Sequence, residues 1–386
     1  MNDTAYNFAP TIRHALLLAV AVLCAFDATA ADLAPDRADL LYHRYEGDGA
    51  TIDGPALLVR KRIGKQFAVS GKYYVDSVTS ASVDVVATAS PYTEERKEAG
   101  VGVEYVNGKT RVTAGLSSSD ENDFTARSAA ITISQDIFGD LTTVTMSYGR
   151  GDDEVHRRGD DNFSADVDRQ IYGLGISQIV TKDLIMGLTF EGITDEGFLN
   201  NPYRQVRYAD PTSERGFEYQ FERYPNTRTS AAVALRARYY LDYRAAVYSE
   251  YRYFSDTWDI TAHTAEIGYT HPWKDRFIFD VKLRGYRQNE ANFYRDIFAR
   301  IDEQNFLARD KELSSFSNRT LRLGVTYLFA QNGWGILDRG SVNVTYDRIQ
   351  FDYDNFRNVP AGGPAGEEPL FAFDADVVQV YLSFWY

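Results

Sequence analysis

The chain closes on "VVQVYLSFWY", Val377 to Tyr386. Three consecutive aromatics stand there with no polar tail behind them, although the formal net charge is −14. A soluble domain ends in a solvated, frayed terminus, so this stretch needs a cover or an apolar medium. Its residues alternate. Val378, Val380, Leu382, Phe384 and Tyr386 form one face, and Gln379, Tyr381 and Ser383 form the other. A period of two is the signature of a half-exposed strand.

The same alternation runs through most of the chain. In "FIFDVKL" (277–283), Phe277, Phe279, Val281 and Leu283 oppose Ile278, Asp280 and Lys282. In "LRLGVTYLF" (321–329), the apolar row is Leu321, Leu323, Val325, Tyr327 and Phe329. In "AAVALRARYYL" (231–241), Val233, Leu235, Ala237 and Tyr239 face away from Arg236, Arg238 and Tyr240. These runs are about 10 residues or more, long for a sandwich and the right length to cross a bilayer as tilted strands. The apolar rows end in Tyr, Phe and Trp, as an interfacial girdle does. The 27 Tyr and 23 Phe also exclude a disordered chain. The acidic balance argues against a nucleic-acid partner, which would call for a basic stripe.

Connections alternate between short and long. The short ones fall at 63–66, Asn107-Gly108, 137–140, 181–183, Asp242 and 272–275; the long ones at 78–93, 150–162, 194–227, 289–314 and 352–374. Short periplasmic turns and longer outer loops are the layout of an outer-membrane barrel. The pattern predicts sixteen strands, at 38–46, 55–63, 66–77, 94–106, 109–118, 124–136, 140–150, 163–179, 183–193, 228–241, 243–255, 257–271, 275–288, 315–329, 340–351 and 374–386. Fourteen is the competing count, because "DLLYHRYEGDG" alternates poorly and the turn at 330–339 is long.

The N-terminus reads as an export signal. Arg13 and His14 precede an apolar run from Ala15 to Phe26, and Ala28-Thr29-Ala30 offers a small-residue cleavage site. The domain expectation is therefore a signal peptide over 1–30 and a barrel over 31–386. The one cysteine, Cys24, falls within the signal, so the exported part carries no disulfide.

The closing strand resembles the assembly signal of bacterial outer-membrane barrels, on Val380, Leu382, Phe384 and Tyr386; that pattern most often ends in Phe, and here it ends in Tyr. The layout of the whole chain is similar to an uncharacterised family of proteobacterial outer-membrane barrels, a domain of unknown function. The resemblance implies an all-β, single closed antiparallel transmembrane barrel in the outer membrane, porin-like in architecture. It implies no activity. Partners that follow are outer-membrane lipid and lipopolysaccharide, the barrel-assembly machinery and a periplasmic protein.

With the apolar row facing lipid, the other row faces the lumen. The wall residues singled out are Arg236, Arg238, Arg244, Glu250, Arg252, Asp280, Lys282, Arg284 and Arg322. Mixed charges in a narrow pore sort solutes, but the same charges can simply pair and fill the interior, since a buried charge needs a partner. Two loops are long enough to fold inward as a plug or outward as a docking surface, 194–227 and 289–314. In the second, Phe293, Ile297, Ile301 and Leu307 can share a helical face. The functional expectation is a channel for small polar solutes. A plugged structural or docking barrel is the alternative, and an outer-membrane hydrolase the third. His43, His156, His263 and His271 form no nucleophile–base signature with a Gly-x-Ser-x-Gly elbow, nor metal-ligand spacing. No catalytic residue, metal or cofactor is therefore expected.

Overall fold

The computed structural model describes residues 33–80, 92–160 and 162–386. The export signal expected over 1–30 lies outside these, as does most of the 78–93 connection. The elements are β1 (Arg37–Gly47), β2 (Ala50–Ile63), β3 (Phe67–Ser80), β4 (Tyr92–Asn107), β5 (Thr110–Asp120), β6 (Phe124–Ile137), β7 (Thr142–His156), β8 (Ser164–Ile179), β9 (Leu184–Gly197), β10 (Gln205–Ala209), β11 (Phe217–Phe221), β12 (Thr227–Tyr240), β13 (Ala246–Asp256), β14 (Thr261–Trp273), β15 (Phe277–Gln288), β16 (Phe316–Phe329), β17 (Arg339–Arg357) and β18 (Leu370–Trp385). All but β10 and β11 form one closed antiparallel barrel of sixteen strands, each beside its sequence neighbour. β10 and β11 make a separate hairpin in the long connection between β9 and β12.

Closure explains the apolar terminus. β18 pairs with β17 on one side and with β1 on the other, in register from Arg37 opposite Trp385 to Gly47 opposite Ala375. The backbone of the last strand is thus satisfied on both edges, as a lipid environment requires. Val378, Leu57, Val59, Val101, Leu116, Leu188, Leu235 and Leu283 are exposed on the outside. Such a row is unfavourable in water and comfortable in hydrocarbon. At the short-turn end, Trp273, Phe277 and Tyr327 form a ring of aromatic contacts, Phe277 lying 5.9 Å from Trp273 and 5.2 Å from Tyr327. At the opposite end the outward aromatics include Tyr251 and Tyr253 beside His263.

Three local expectations change. The tight turn between β4 and β5 centres on Gly108 and Lys109, because Asn107 still pairs with Thr110. Gly108 takes φ 58° and Lys109 is not left-handed. That is the pattern with glycine first, rather than the Asn-Gly turn with both residues left-handed. The stretch 150–162, expected as loop, is strand as far as His156, paired with β8. Strands can extend past the bilayer because water as well as a neighbour satisfies their edges. The segment 289–315 forms no α-helix; it holds only a 3₁₀ turn at Lys311–Leu313. Of the expected apolar face, Phe293 and Leu307 are buried individually, while Ile301 stays exposed.

Candidate functional site

The register sorts the side chains into two rows. Arg236 lies opposite Glu250, Glu250 opposite Glu266, Glu266 opposite Arg284, and Lys282 opposite Arg322, which lies opposite Asp347. This row is opposite the exposed apolar one. Its charges form a ladder of cross-strand ion pairs: Arg252–Glu191 at 3.1 Å, Lys282–Glu266 at 2.8 Å, Arg322–Asp347 at 2.6 Å and the Arg236–Glu250 pair. Asp280 accepts the Thr270 hydroxyl at 2.6 Å. Arg284 lies over the Tyr286 ring at 5.7 Å. Arg238 has no carboxylate partner among the described residues. Arg60 and Arg111 converge on Glu104 at 2.8 and 3.2 Å across the barrel wall.

Arg244 differs from the expectation. It occupies the turn between β12 and β13 with φ 69° and pairs with Asp275 of the next turn, both well exposed. Because a tight turn reverses the chain there, the alternation that would aim Arg244 inward ends at Tyr240. The residues of the closing strand, Val380, Leu382 and Phe384, lie on the lipid-facing row. Tyr386 follows β18; its hydroxyl donates to the Arg60 carbonyl oxygen at 3.3 Å, and Lys61 sits 4.9 Å above its ring.

The interior has a second feature that charge alone does not disclose. Where β12–β17 carry long charged side chains, β5–β9 carry small ones: Gly115, Ser128, Ser147, Gly173, Gly175 and Gly187. Short side chains leave room. A groove of about 560 Å³ lies between this flank and Arg236, Arg238, Tyr248 and Arg252. The sequence carried the signal as Gly, Ser and Thr at alternate positions of β5–β9, but only the pairing shows that they face the arginines.

At the outer end, three connections fold together into a cap. Residues 198–226 supply the β10–β11 hairpin, and 289–315 and 358–369 pack against it. Phe293 lies 5.2 Å from Trp258 and 5.5 Å from Tyr224. Tyr294, Ala308 and Leu313 complete a buried cluster against the inward-facing aromatics Phe316, Phe351 and Phe373. The cap thus rests on the inner wall of β13–β18 and covers that sector of the mouth. At its centre Arg207 is fully buried. Its guanidinium pairs with Glu368 and with Asp296, and its Nε donates to the Asp296 carbonyl oxygen at 3.0 Å. Arg309 also binds Asp296, at 3.0 Å, and stacks on Phe356 at 4.5 Å. Three loops therefore meet on one ionic knot. Burial alone would raise the Glu368 carboxyl, yet the bonds from Arg207 hold it below its usual range. A cavity of about 390 Å³ remains beneath the cap, lined by Arg169, Arg228, Arg252, Tyr286 and Leu313.

Glu222, in the same cap, is buried and accepts from the Tyr224 hydroxyl at 2.6 Å and from the Arg309 N–H at 2.7 Å. Burial, with Asp310 nearby, pushes its carboxyl up to about 7. An acid raised above its unfolded value binds its proton more tightly when folded. Cap stability therefore falls as pH rises from the unfolded range near 4.5 through about 7. Cleavage of the cap by a broad protease should be slower at pH 5.5 than at pH 8. Glu222→Gln should flatten that difference, and an unchanged profile in the variant would remove Glu222 from the effect.

A closed antiparallel barrel with an apolar belt, a charged interior and its long loops at one end is an outer-membrane β-barrel, and the outer membrane is where the chain resides. Within that class, residues 81–171 and 164–338 match the family described as "Protein of unknown function (DUF3570)", and the chain belongs to it. No curated protein matches the sequence. Among solved structures, the chain is similar to a bacterial polysaccharide outer membrane secretin, with TM-score 0.51 and 9% identity over 90% of this chain and 98% of that one. It is also similar to Pseudomonas aeruginosa OpdK, solved with vanillate (TM-score 0.43, 10% identity, 92% and 99% covered). A third is Vibrio cholerae OmpT lacking loop L8 (TM-score 0.43, 10% identity, 93% and 100% covered). At this level of identity the likeness is one of fold.

Proposed function

We propose that the barrel is a channel for small polar solutes across the outer membrane, with its entrance narrowed by the cap. The observation that carries this is the unfilled groove between the small-residue flank of β5–β9 and the arginines of β12 and β13. A barrel built only for strength would fill that space with side chains, as packed interiors do. Passage needs no chemistry here; selectivity comes from width and wall charge. Purified protein in planar bilayers should give discrete conductance steps. A unit charge about 8 Å from a passing ion, at an effective dielectric near 40, is worth about 1 kcal/mol. Replacing Arg238, which has no carboxylate partner among the described residues, by Ala should therefore lower anion over cation permeability about fivefold. Arg236→Ala frees Glu250 and should move selectivity the same way. An unmoved reversal potential in both variants removes them from the pathway.

A second reading has its own support. The buried Arg207 knot gives the cap a core, as a permanent plug would have. A plugged barrel would be silent in bilayers until the cap is opened. It would dock a periplasmic partner through the 330–338 turn, where Trp334 and Ile336 are exposed.

A further inference from the structure

On the outward face of the described strands, charges gather mainly above the apolar belt, and several come in pairs; at the short-turn end Lys61 pairs with Asp36 at 2.6 Å. Arg348 binds Asp374 and Asp376 at 2.6 Å each. Arg150 binds Asp152 and Asp168 at 2.9 Å each. Lys97 binds Glu95, and Arg44 lies 3.4 Å from Glu46. Like Arg127 on β6, Arg287 and Arg319 stand outside these pairs. Both are exposed, on the lipid-facing row of β15 and β16, and neither has a carboxylate partner among the described residues.

The register builds a patch around them. Arg319 lies opposite Gly285 on one side and Gln350 on the other, and Arg287 lies opposite His263. Arg348 is one pair below Gln350, opposite Leu321. Three arginines thus step diagonally across three neighbouring strands, each one same-face position below the last. The Tyr251 hydroxyl shares a 2.7 Å hydrogen bond with His263 Nδ1. The outward acids beside the patch are Asp374 and Asp376, both held by Arg348, and Asp352, opposite Ser317 and one step farther out. Beneath the arginines the wall is dented. Gly285 has nothing within 4 Å of where a Cβ would stand. A hollow of about 620 Å³ opens there, with Arg319 above and the register row Ile267, Leu283, Leu321 and Arg348 below.

We propose that Arg287 and Arg319 bind a phosphate of an outer-leaflet phosphorylated glycolipid, with its acyl chains running down the Gly285 hollow. The guanidinium fork matches a phosphate in two parallel bonds. The position is at the outer rim of the apolar belt, where a lipid headgroup lies. Free phosphate would gain nothing from the aliphatic floor, whereas an amphiphile uses both halves. The patch also gives a chain of net charge −14 a local attraction for a polyanionic leaflet. This inference is independent of whether the lumen conducts.

The test is native mass spectrometry of the detergent-purified barrel with diphosphorylated lipid A, its dephosphorylated form, and inorganic phosphate as competitor. The parent should retain the phosphorylated lipid and not the dephosphorylated one. Arg287→Gln with Arg319→Gln should lower retention by about tenfold or more, a loss of about 1.4 kcal/mol. Lysine at both positions should restore part of it. Folding is checked by heat-modifiable gel mobility, which these exposed substitutions should leave intact. Equal retention by parent and glutamine variant overturns the proposal. So does equal retention of the dephosphorylated lipid, or displacement by inorganic phosphate at low millimolar levels.

Discussion

Arg207→Ala is expected to unlatch the cap while the barrel stays closed. The substitution leaves Asp296 and Glu368 facing each other without the guanidinium between them, in a site where Arg207 and Glu368 are both almost fully buried. Removing one partner of a buried pair costs about 3–5 kcal/mol. Among the described residues the cap has no strand pairing with the barrel to absorb that loss; its hairpin β10–β11 is a sheet of its own. Arg309 continues to donate to the Arg357 carbonyl oxygen at 2.9 Å, so the 289–315 segment keeps one anchor. Limited proteolysis should therefore cut first in 198–226 and 358–369, at rates well above the parent, with heat-modifiable mobility unchanged. If the cap narrows the entrance, single-channel conductance rises with the same variant. A neutral replacement of the Arg207–Glu368 pair, Arg207→Met with Glu368→Gln, should recover much of the protease resistance, since Asp296 keeps Arg309 as its partner and no charge is then left buried alone. An Arg207→Ala cap as resistant as the parent would show that the apolar cluster around Phe293 and Tyr294 holds it unaided.

The second large effect is in the wall. Gly54→Val should prevent a closed barrel from forming. A Cβ at Gly54 would stand 1.8 Å from the Val75 carbonyl oxygen, 2.8 Å from its carbon and 3.3 Å from the Asp76 Cα. These are backbone atoms of the neighbouring strand and cannot swing aside. The β2–β3 pairing passes over Gly54 and Pro55 and resumes at Ala56 opposite Tyr74, which is how the two backbones come so close. Forcing them apart exposes unpaired strand edges, and lipid offers those groups no partner. Gly71→Val is the matched control, because nothing lies within 4 Å of its Cβ position. The expected result is loss of the folded, heat-modifiable band for Gly54→Val and its retention for Gly71→Val. Folding of both would show that the contact relaxes.

The sequence by itself determined the barrel. A period of two with aromatic ends, and turns that alternate short and long, depend only on local chain geometry and on which side chains tolerate hydrocarbon. The sixteen strands follow from counting those periods, and even the weakly alternating first strand forms, because β18 needs a partner for its free edge. Pairing the charged row across neighbouring strands was legible for the same reason: alternation assigns the face. Arg244 was misplaced because alternation stops in a turn. What tertiary structure alone decided is everything that depends on register or on distant segments meeting. The small flank of β5–β9 becomes a groove only once Gly187 stands beside Arg236. The helical spacing in 289–315 gave way because the inner-wall aromatics and Arg207, distant in sequence, offered its side chains better burial than a helix of its own. Loops carry no period of their own, so their fold is set by what the closed wall presents to them.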